Sequence, residues 1–419
     1  MGSALLQPEP RVFDRRMLTI LLIVFVQMIG TSMVNPILPL YAQSEFGMSP
    51  ELITLLLTAF FGAQFIAGPT IGRMSDRRGR LPVLLISQVG TVIAFVMIGL
   101  AQSVPILFVA RVLDGITGGN IVVAQAYVTD IMPEHKRTQA LGYVMAAFGL
   151  GFIVGPAVGG VLASGLGPQM PFLIAAAAAF ITVLLTWFTL EETLSDADQA
   201  RNRDSSRANM RLKPMLGNVP LLAVMVVSFV SRFGFGLLIG TFALFAEAVL
   251  FAGEDFATVS LGVGLLLMVV GVGQFVTQVV ILPAALRHLG DPAIVIWGAV
   301  ARAAGMFTLA LATEPLLGSI SMVAFALGSG LLLPALQSLV TKTVAPELRG
   351  GILGAHQSVM SLGVIISTAV SGGLFALDPA LPNWLGGALV TLAILPAAFL
   401  WAWSRKNGAM DGALAVVTK

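Results

Sequence analysis

Apolar positions in this chain do not alternate with polar ones in the rhythm of a half-buried strand or a one-faced helix. They come in long unbroken runs separated by short polar breaks. About 20 mainly apolar residues suffice for a helix to cross a hydrocarbon core of roughly 30 Å. Runs of that kind centre near residues 29, 61, 92, 118, 150, 179, 233, 269, 302, 328, 362 and 394, which predicts twelve membrane-spanning helices. The long polar break, EETLSDADQARNRDSSRANMRLKPMLG at 191–217, divides six spans from six. Its Asp, Arg, Ser and Asn lack the apolar payload to pack a domain, so it reads as a cytoplasmic linker with room for a short amphipathic helix on the membrane surface. The expected organisation is a six-helix bundle over 1–190, the linker over 191–217 and a second six-helix bundle over 218–419. The first span starts too far from Met1, and runs too long, for a cleaved signal.

Composition supports an all-α integral membrane protein. Apolar residues make up 57% of the chain, against about 45–50% in soluble domains. With no cysteine there are no disulfides and no thiolate metal sites, and His135, His288 and His356 are too scattered to suggest a metal cluster. No cofactor and no nucleic-acid partner is expected. Zinc-protease, nucleophile-elbow and phosphate-loop motifs are missing from the sequence, as are paired membrane acids, which argues against a membrane enzyme.

Charge placement orients the spans. All but three of the 23 lysines and arginines fall in the N-terminal tail, the even-numbered loops (2–3, 4–5, 8–9, 10–11), the middle segment and the C-terminal tail. The opposite loops hold none, but do hold Glu45, Glu51, Glu254, Asp255, Glu314 and Asp378. By the positive-inside rule both termini are cytoplasmic. A miscounted span would scatter basic loops to both sides, so the same distribution supports the count of twelve.

The two halves resemble each other. PEHKRTQALG at 133–142 matches PELRGGILG at 346–354 with one deletion, and LPLYAQ at 38–43 matches FALFAE at 242–247. Gly151, Gly155 and Gly159 correspond to Gly363, Ser367 and Ser371 at a constant offset of 212. Two six-span repeats of one orientation form a transporter architecture, with the substrate site near the midplane where the halves face each other.

Three motifs narrow the class. GRMSDRRGRLP at 72–82 packs five charged residues between two oily runs. Gly72 permits close helix approach, Gly79 a turn with positive φ, and Pro82 suits the first turn of a helix. Asp76 can then sit at a helix N-terminus or pair with Arg77 or Arg80. The plain alternative is a solvated basic loop. The spacing resembles the G-x-x-x-D-R-x-G-R signature of the major facilitator superfamily. That resemblance implies a conformational latch of Asp76 and Arg80 with an acid ending span 4, here Asp130, holding the outward-facing state shut on the cytoplasmic side.

LFVARVLDGITGG at 107–119 resembles that family's span 4 motif, with Arg111 followed by Gly115, and GLGFIVGPAVGG at 149–160 resembles its span 5 exporter motif. Gly151, Gly155 and Gly159 share one helix face and invite close packing, next to Gly160; Pro156 supplies a bend. Together with NPILPLY in span 1 and RLPVLL entering span 3, the chain resembles the twelve-span drug:proton antiporters near the tetracycline-efflux type. The fold this implies is two pseudo-symmetric six-helix bundles. The activity it implies is efflux of a small molecule across a bacterial inner membrane, driven by the proton gradient and carried out by a monomer.

An ionisable group inside a membrane is a functional candidate, because burying it costs several kcal/mol, about 2.5–3.5 on insertion scales. Arg111 and Asp114 lie i, i+3 on one face of span 4. Two readings stand: a titrating carboxylate that changes partners on protonation, or a permanent ion pair that orients the helix. His356 could titrate near neutrality or merely pack. The span 1 position that carries an acid in tetracycline-type exporters is Gln27 here, and the span 3 position is Ala94, so coupling to protons is an open point. Arg232 and Arg302 leave the interior richer in cations than anions, which would also suit a proton-independent facilitator or exchanger of an anionic, zwitterionic or lipid-like substrate. Gln27, Asn35, Asn120, Gln274, Gln278, Gln337 and Gln357 complete the candidate cavity lining, with interhelical glue as the competing role of each.

Overall fold

The computed structural model describes residues 15–118, 120–194, 217–344 and 349–406. Twelve helices in it are long and apolar enough to span a membrane: α1 (Arg15–Phe46), α2 (Pro50–Arg78), α3 (Arg80–Gly99), α4 (Val104–Ile131), α5 (His135–Leu166), α6 (Met170–Thr189), α7 (Val219–Leu250), α8 (Phe256–His288), α9 (Asp291–Ala310), α10 (Pro315–Lys342), α11 (Gly351–Leu377) and α12 (Leu381–Lys406). Their midpoints fall within about three residues of the apolar run centres. Prolines begin many of them, where a missing N–H leaves no bond unmade. Side-chain caps begin others: Asn218 accepts from the Leu221 N–H and Asp255 from the Thr258 N–H. The exterior is oily. Ile66, Trp187, Phe188, Leu316, Leu377 and Leu395 are each at least 66% exposed, a surface that suits lipid.

Within a membrane, lipid tails are as apolar as leucine, so helices associate through close packing of small residues. The two halves do this at equivalent places. In the first half Gly151 of α5 lies against Phe25 O, Met28 Cβ and Ile29 N of α1; in the second, Gly363 of α11 lies against Phe229 O, Arg232 Cβ and Phe233 N of α7. The repeat seen in sequence is therefore a repeat in space, with α1–α6 matched by α7–α12. Helix lengths agree too: α3 and α9 each have 20 residues, and α4 and α10 each have 28.

The halves meet through α5 on α8 and α2 on α11. Gly160 lies against Ser260 and Leu261, Gly264 against Pro156, and Gly271 against Ile153. Gly372 lies against Pro50, Glu51 and Thr54, and the Thr58 hydroxyl donates to Thr368 at 3.0 Å. All but the mid-helix contact of Gly271 with Ile153 lie toward the end of the bundle that carries Glu51, Glu254 and Asp378. Toward the basic end the first half keeps a separate buried cluster, Met17, Ile20, Ile71, Leu84, Tyr127 and Val144 among its members, which no described residue of the second half joins, whereas the other buried cluster runs through both halves. The two bundles are thus joined at the acidic end and parted at the basic end.

Candidate functional site

Where the halves part, a cavity is lined by Ser32, Asn35 and Pro36 of α1, Phe152 and Pro156 of α5, Phe235, Leu238, Ile239, Phe242 and Ala243 of α7, Leu267, Val270 and Gln274 of α8, and Phe325 of α10. Pro36 and Pro156 lie inside their helices beside it, each removing one backbone N–H from the helix ladder. Most of the lining is apolar and aromatic, and Asn35 and Gln274 are its amides.

Behind the α1 wall, Arg111 and Asp114 of α4 form an ion pair of 2.8 Å, with side chains 0% and 2% exposed. Arg111 also donates to Asn35 Oδ1 at 3.3 Å and stacks over the Phe60 ring at 4.2 Å. One residue of the cavity wall is thereby bonded to a buried salt bridge. The arginine sits deep because Gly115 lets α4 close onto the Phe60 carbonyl and Ala63 of α2. α4 breaks its helix after Thr117, one turn past Asp114, and Gln64 donates to the freed Gly118 carbonyl at 3.4 Å. Arg111 Nε has no acceptor among the described residues.

Behind the opposite wall, on the far side of Phe235 and Phe325, lie two arginines. Arg302 of α9, 1% exposed, donates to Ser231 Oγ at 2.8 Å and lies 4.7 Å from the Phe325 ring and 5.9 Å from that of Phe235. Arg232 lies 5.5 Å from the same Phe235 ring. His356 Nε2 is 2.8 Å from Ser228 Oγ, one turn along α7.

At the basic end, Arg80 bonds Asp130 through Nε at 2.9 Å, Asp76 through Nη1 at 2.5 Å, and Ser75 at 3.2 Å. The sequence motif therefore closes into one cluster inside the first half. Gly79, at φ 102°, sits where a side chain would be strained and would run into the Glu192 carboxylate. Glu192 caps α3, accepting from the Arg80 and Leu81 N–H groups at 2.9 and 3.0 Å, while Glu191 pairs with Arg16. Sequence reasoning assigned Glu191 and Glu192 to the linker; only the return of the chain after α6 places them here. It also missed Asp291, which receives Lys342 at 2.7 Å and Ser338 at 2.6 Å at the matching place in the second half. A Pro after an Asp at a helix start was the available signal.

The other expected cavity residues are dispersed. Gln27 faces Thr91 of α3 at 3.5 Å inside the first half, Gln278 is half-buried, and Gln337 and Gln357 are exposed, all outside the lining described above. The Asn120 side chain lies outside the described residues, as do most of the linker and the chain ends. Gly151, Gly155 and Gly159 pack α5 on α1, Pro156 and Gly160 meet α8, Gly72 of α2 faces open space, and Arg77 is exposed in the last turn of α2. Among the described residues no cluster of acids and histidines could hold a metal.

Twelve helices in two repeats around a central cavity define a membrane transporter. Residues 20–251 match the family model described as Major Facilitator Superfamily, and the chain belongs to that superfamily. It is 31% identical over 368 residues to the class E tetracycline resistance protein of Escherichia coli, covering 87% of this chain and 88% of the relative. Multidrug resistance protein 2 of Bacillus subtilis (strain 168) is 28% identical over 394 residues, 92% of this chain and 94% of its own. Among solved structures, a bacterial homolog of the human lysosomal transporter Spinster, inward-facing and occupied, superposes with a TM-score of 0.73 at 19% identity, covering 95% of this chain and 98% of that one.

Proposed function

We propose that this transporter exports amphipathic small molecules against their gradient in exchange for protons, by rocking one six-helix half against the other. The observation that carries the reading is the Arg111–Asp114 pair, fully buried and bonded to Asn35 on the cavity wall. A buried ion pair gains little net stability over apolar packing. Its presence is explained if Asp114 takes up a proton, because protonation ends the pair and leaves Arg111 to Asn35, Phe60 and whatever occupies the cavity. Substrate and proton then favour different states through their different affinities for them. Relatives named for tetracycline and multidrug resistance support efflux of drug-like molecules.

The basic end is cytoplasmic in this reading, with both termini on that side. The described arrangement then opens toward the cytoplasm, ready to load. The Arg80 cluster and its counterpart at Asp291 hold the inner ends of α2, α3 and α4, and of α9 and α10, rigid while the halves move. The working unit is a monomer of two bundles joined by the 191–217 linker, with a proton gradient and no cofactor as its energy source.

The test is a proteoliposome assay with tetracycline as the probe under an imposed pH gradient. Uphill movement that Asp114→Asn abolishes is expected. Equilibration indifferent to the gradient overturns proton coupling and favours a facilitator or exchanger, the outcome that Gln27 and Ala94, both neutral in the interior of the first half, would then explain.

A further inference from the structure

The second half carries a polar cluster that its own fold does not require. Superposing the repeats by the Gly151 and Gly363 contacts pairs Arg232 with Met28. By the same offsets Ser231 takes the place of Gln27, and Ser228 and His356 those of Val24 and Val144; aligning the starts of α3 and α9, Arg80 and Asp291, sets Arg302 at the place of Thr91. The contacts repeat as well: Gln27 faces Thr91 as Ser231 faces Arg302. The first half thus builds these helix crossings with neutral residues, two of them valines that are buried at 4% and 0%. Nothing in the packing calls for a cation at either arginine.

Two guanidiniums nevertheless share one aromatic ring, Arg232 at 5.5 Å and Arg302 at 5.9 Å from the Phe235 centroid. Like charges held together out of water are costly unless something offsets them. Among the described residues no carboxylate does so. Asp114 serves Arg111, Asp291 serves Lys342, and Glu247 stands fifteen residues beyond Arg232, about 22 Å along α7 at about 1.5 Å per residue. Ring faces and one serine hydroxyl supply part of the offset. Three buried N–H-bearing positions remain without an acceptor: Arg232 Nε, Arg302 Nε and Arg302 Nη2. A guanidinium fork with free donors matches a carboxylate or sulfonate oxygen pair.

The site adjoins the cavity. Phe235 and Phe325, against which Arg302 lies, are both cavity wall, and Arg232 is one turn from Phe235 toward the open basic end and only half-buried. We propose that Arg232 and Arg302 form an anion subsite of the transport cavity, selecting amphipathic monoanions whose acid group bridges the two arginines while an aromatic or apolar body lies against Phe235, Phe325 and the α7 wall. The inference rests on the efflux reading above and names the substrate class for it.

A matched pair of fluorescent probes tests it, dansylglycine with its carboxylate and dansylglycinamide without charge. Binding is measured by fluorescence on the full chain in lipid nanodiscs, with no gradient. Charge-assisted hydrogen bonds to both arginines predict that the acid binds about tenfold or more tightly than the amide. Arg302→Gln and Arg232→Gln each bring the ratio toward one through weaker binding of the acid, with the amide unchanged, and Arg302→Lys restores part of the preference. Should Arg302→Gln fail to fold, Arg232→Gln, at the half-buried position, decides alone. Equal binding of acid and amide by the unaltered protein overturns the subsite, as does a preference that survives Arg232→Gln. Because binding is read without a gradient, its failure is separable from that of export: tetracycline driven uphill with no acid preference sinks only the subsite, and acid preference without uphill movement sinks only the export.

Discussion

Ser32 on α1 stands against Gly155 on α5, and at the equivalent crossing in the second half the two residue types have changed sides, Gly236 on α7 against Ser367 on α11. Each crossing holds one hydroxyl and one bare Cα, whichever helix supplies them. Ser32 spends its hydroxyl on the Met28 carbonyl at 2.6 Å and the Gly151 carbonyl at 3.1 Å, Ser367 on Val364 at 2.9 Å.

The exchange predicts different rescue behaviour. A Cβ at Gly155 meets Ser32 Oγ and also the Ile29 carbonyl at 2.7 Å, whereas a Cβ at Gly236 meets the Ser367 side chain and otherwise Val364 Cα at 3.1 Å. Both Gly→Ala variants should lose stability, by about 1–3 kcal/mol for overpacking. Ser367→Gly should restore most of the loss in Gly236→Ala, while Ser32→Gly should restore little in Gly155→Ala, because backbone remains in the way. Thermal unfolding in detergent, followed by tryptophan fluorescence, checks both.

Breaking the α4 ion pair should cost more than deleting it. Asp114→Asn and Arg111→Met each leave a buried polar partner uncompensated, and removal of one member of such a pair costs about 3–5 kcal/mol. The double variant should be more stable than Asp114→Asn alone, although it should not pump. A double-mutant cycle on stability reads the coupling; strict additivity would show that the pair does not interact.

At the basic end, Glu192→Gln keeps the shape of the α3 cap but removes its charge beside Arg80, and a small loss is expected, about 0.5–1 kcal/mol for a carboxylate at a helix N-terminus. Gly79→Ala should lose more, since strain at φ 102° and the collision with Glu192 add together. Arg80→Ala should leave the fold intact yet shift the balance between states, read as a changed distance distribution between spin labels on the basic ends of α2 and α11. An unchanged distribution would remove the cluster from the conformational cycle.

A chain with no native cysteine allows single cysteines to report orientation directly. Glu314→Cys and Glu254→Cys should react with an impermeant maleimide in intact cells. Arg137→Cys and Arg287→Cys should react only after permeabilisation. The reverse pattern would invert the assignment of the cytoplasmic face.

Much of this architecture was legible because the membrane imposes a strong constraint: a span must be apolar for its whole length, so run length alone placed α1 to α12. The Gly151, Gly155 and Gly159 face was readable because helical spacing fixes which residues share a side, and Arg80 with Asp130 because a motif supplied what spacing could not. The dispersal of the glutamines was not readable. Whether Gln27 points to the cavity or to Thr91 depends on helix rotation, which a uniformly apolar helix does not reveal. The crowding of Arg232 and Arg302 on one phenylalanine was equally hidden, since seventy residues and the whole of α8 separate them in sequence.

The rims of the two bundles carry a sign reversal. Arg80 opens α3 and meets Asp130 near the end of α4, while Asp291 opens α9 and meets Lys342 at the end of α10. Copying any one of these four residues into its sister position would set like against like. Each half therefore ties its rim with the same kind of strut but with the charges exchanged, so a single residue copied from one half to the other breaks a strut that exchanging both members together would keep.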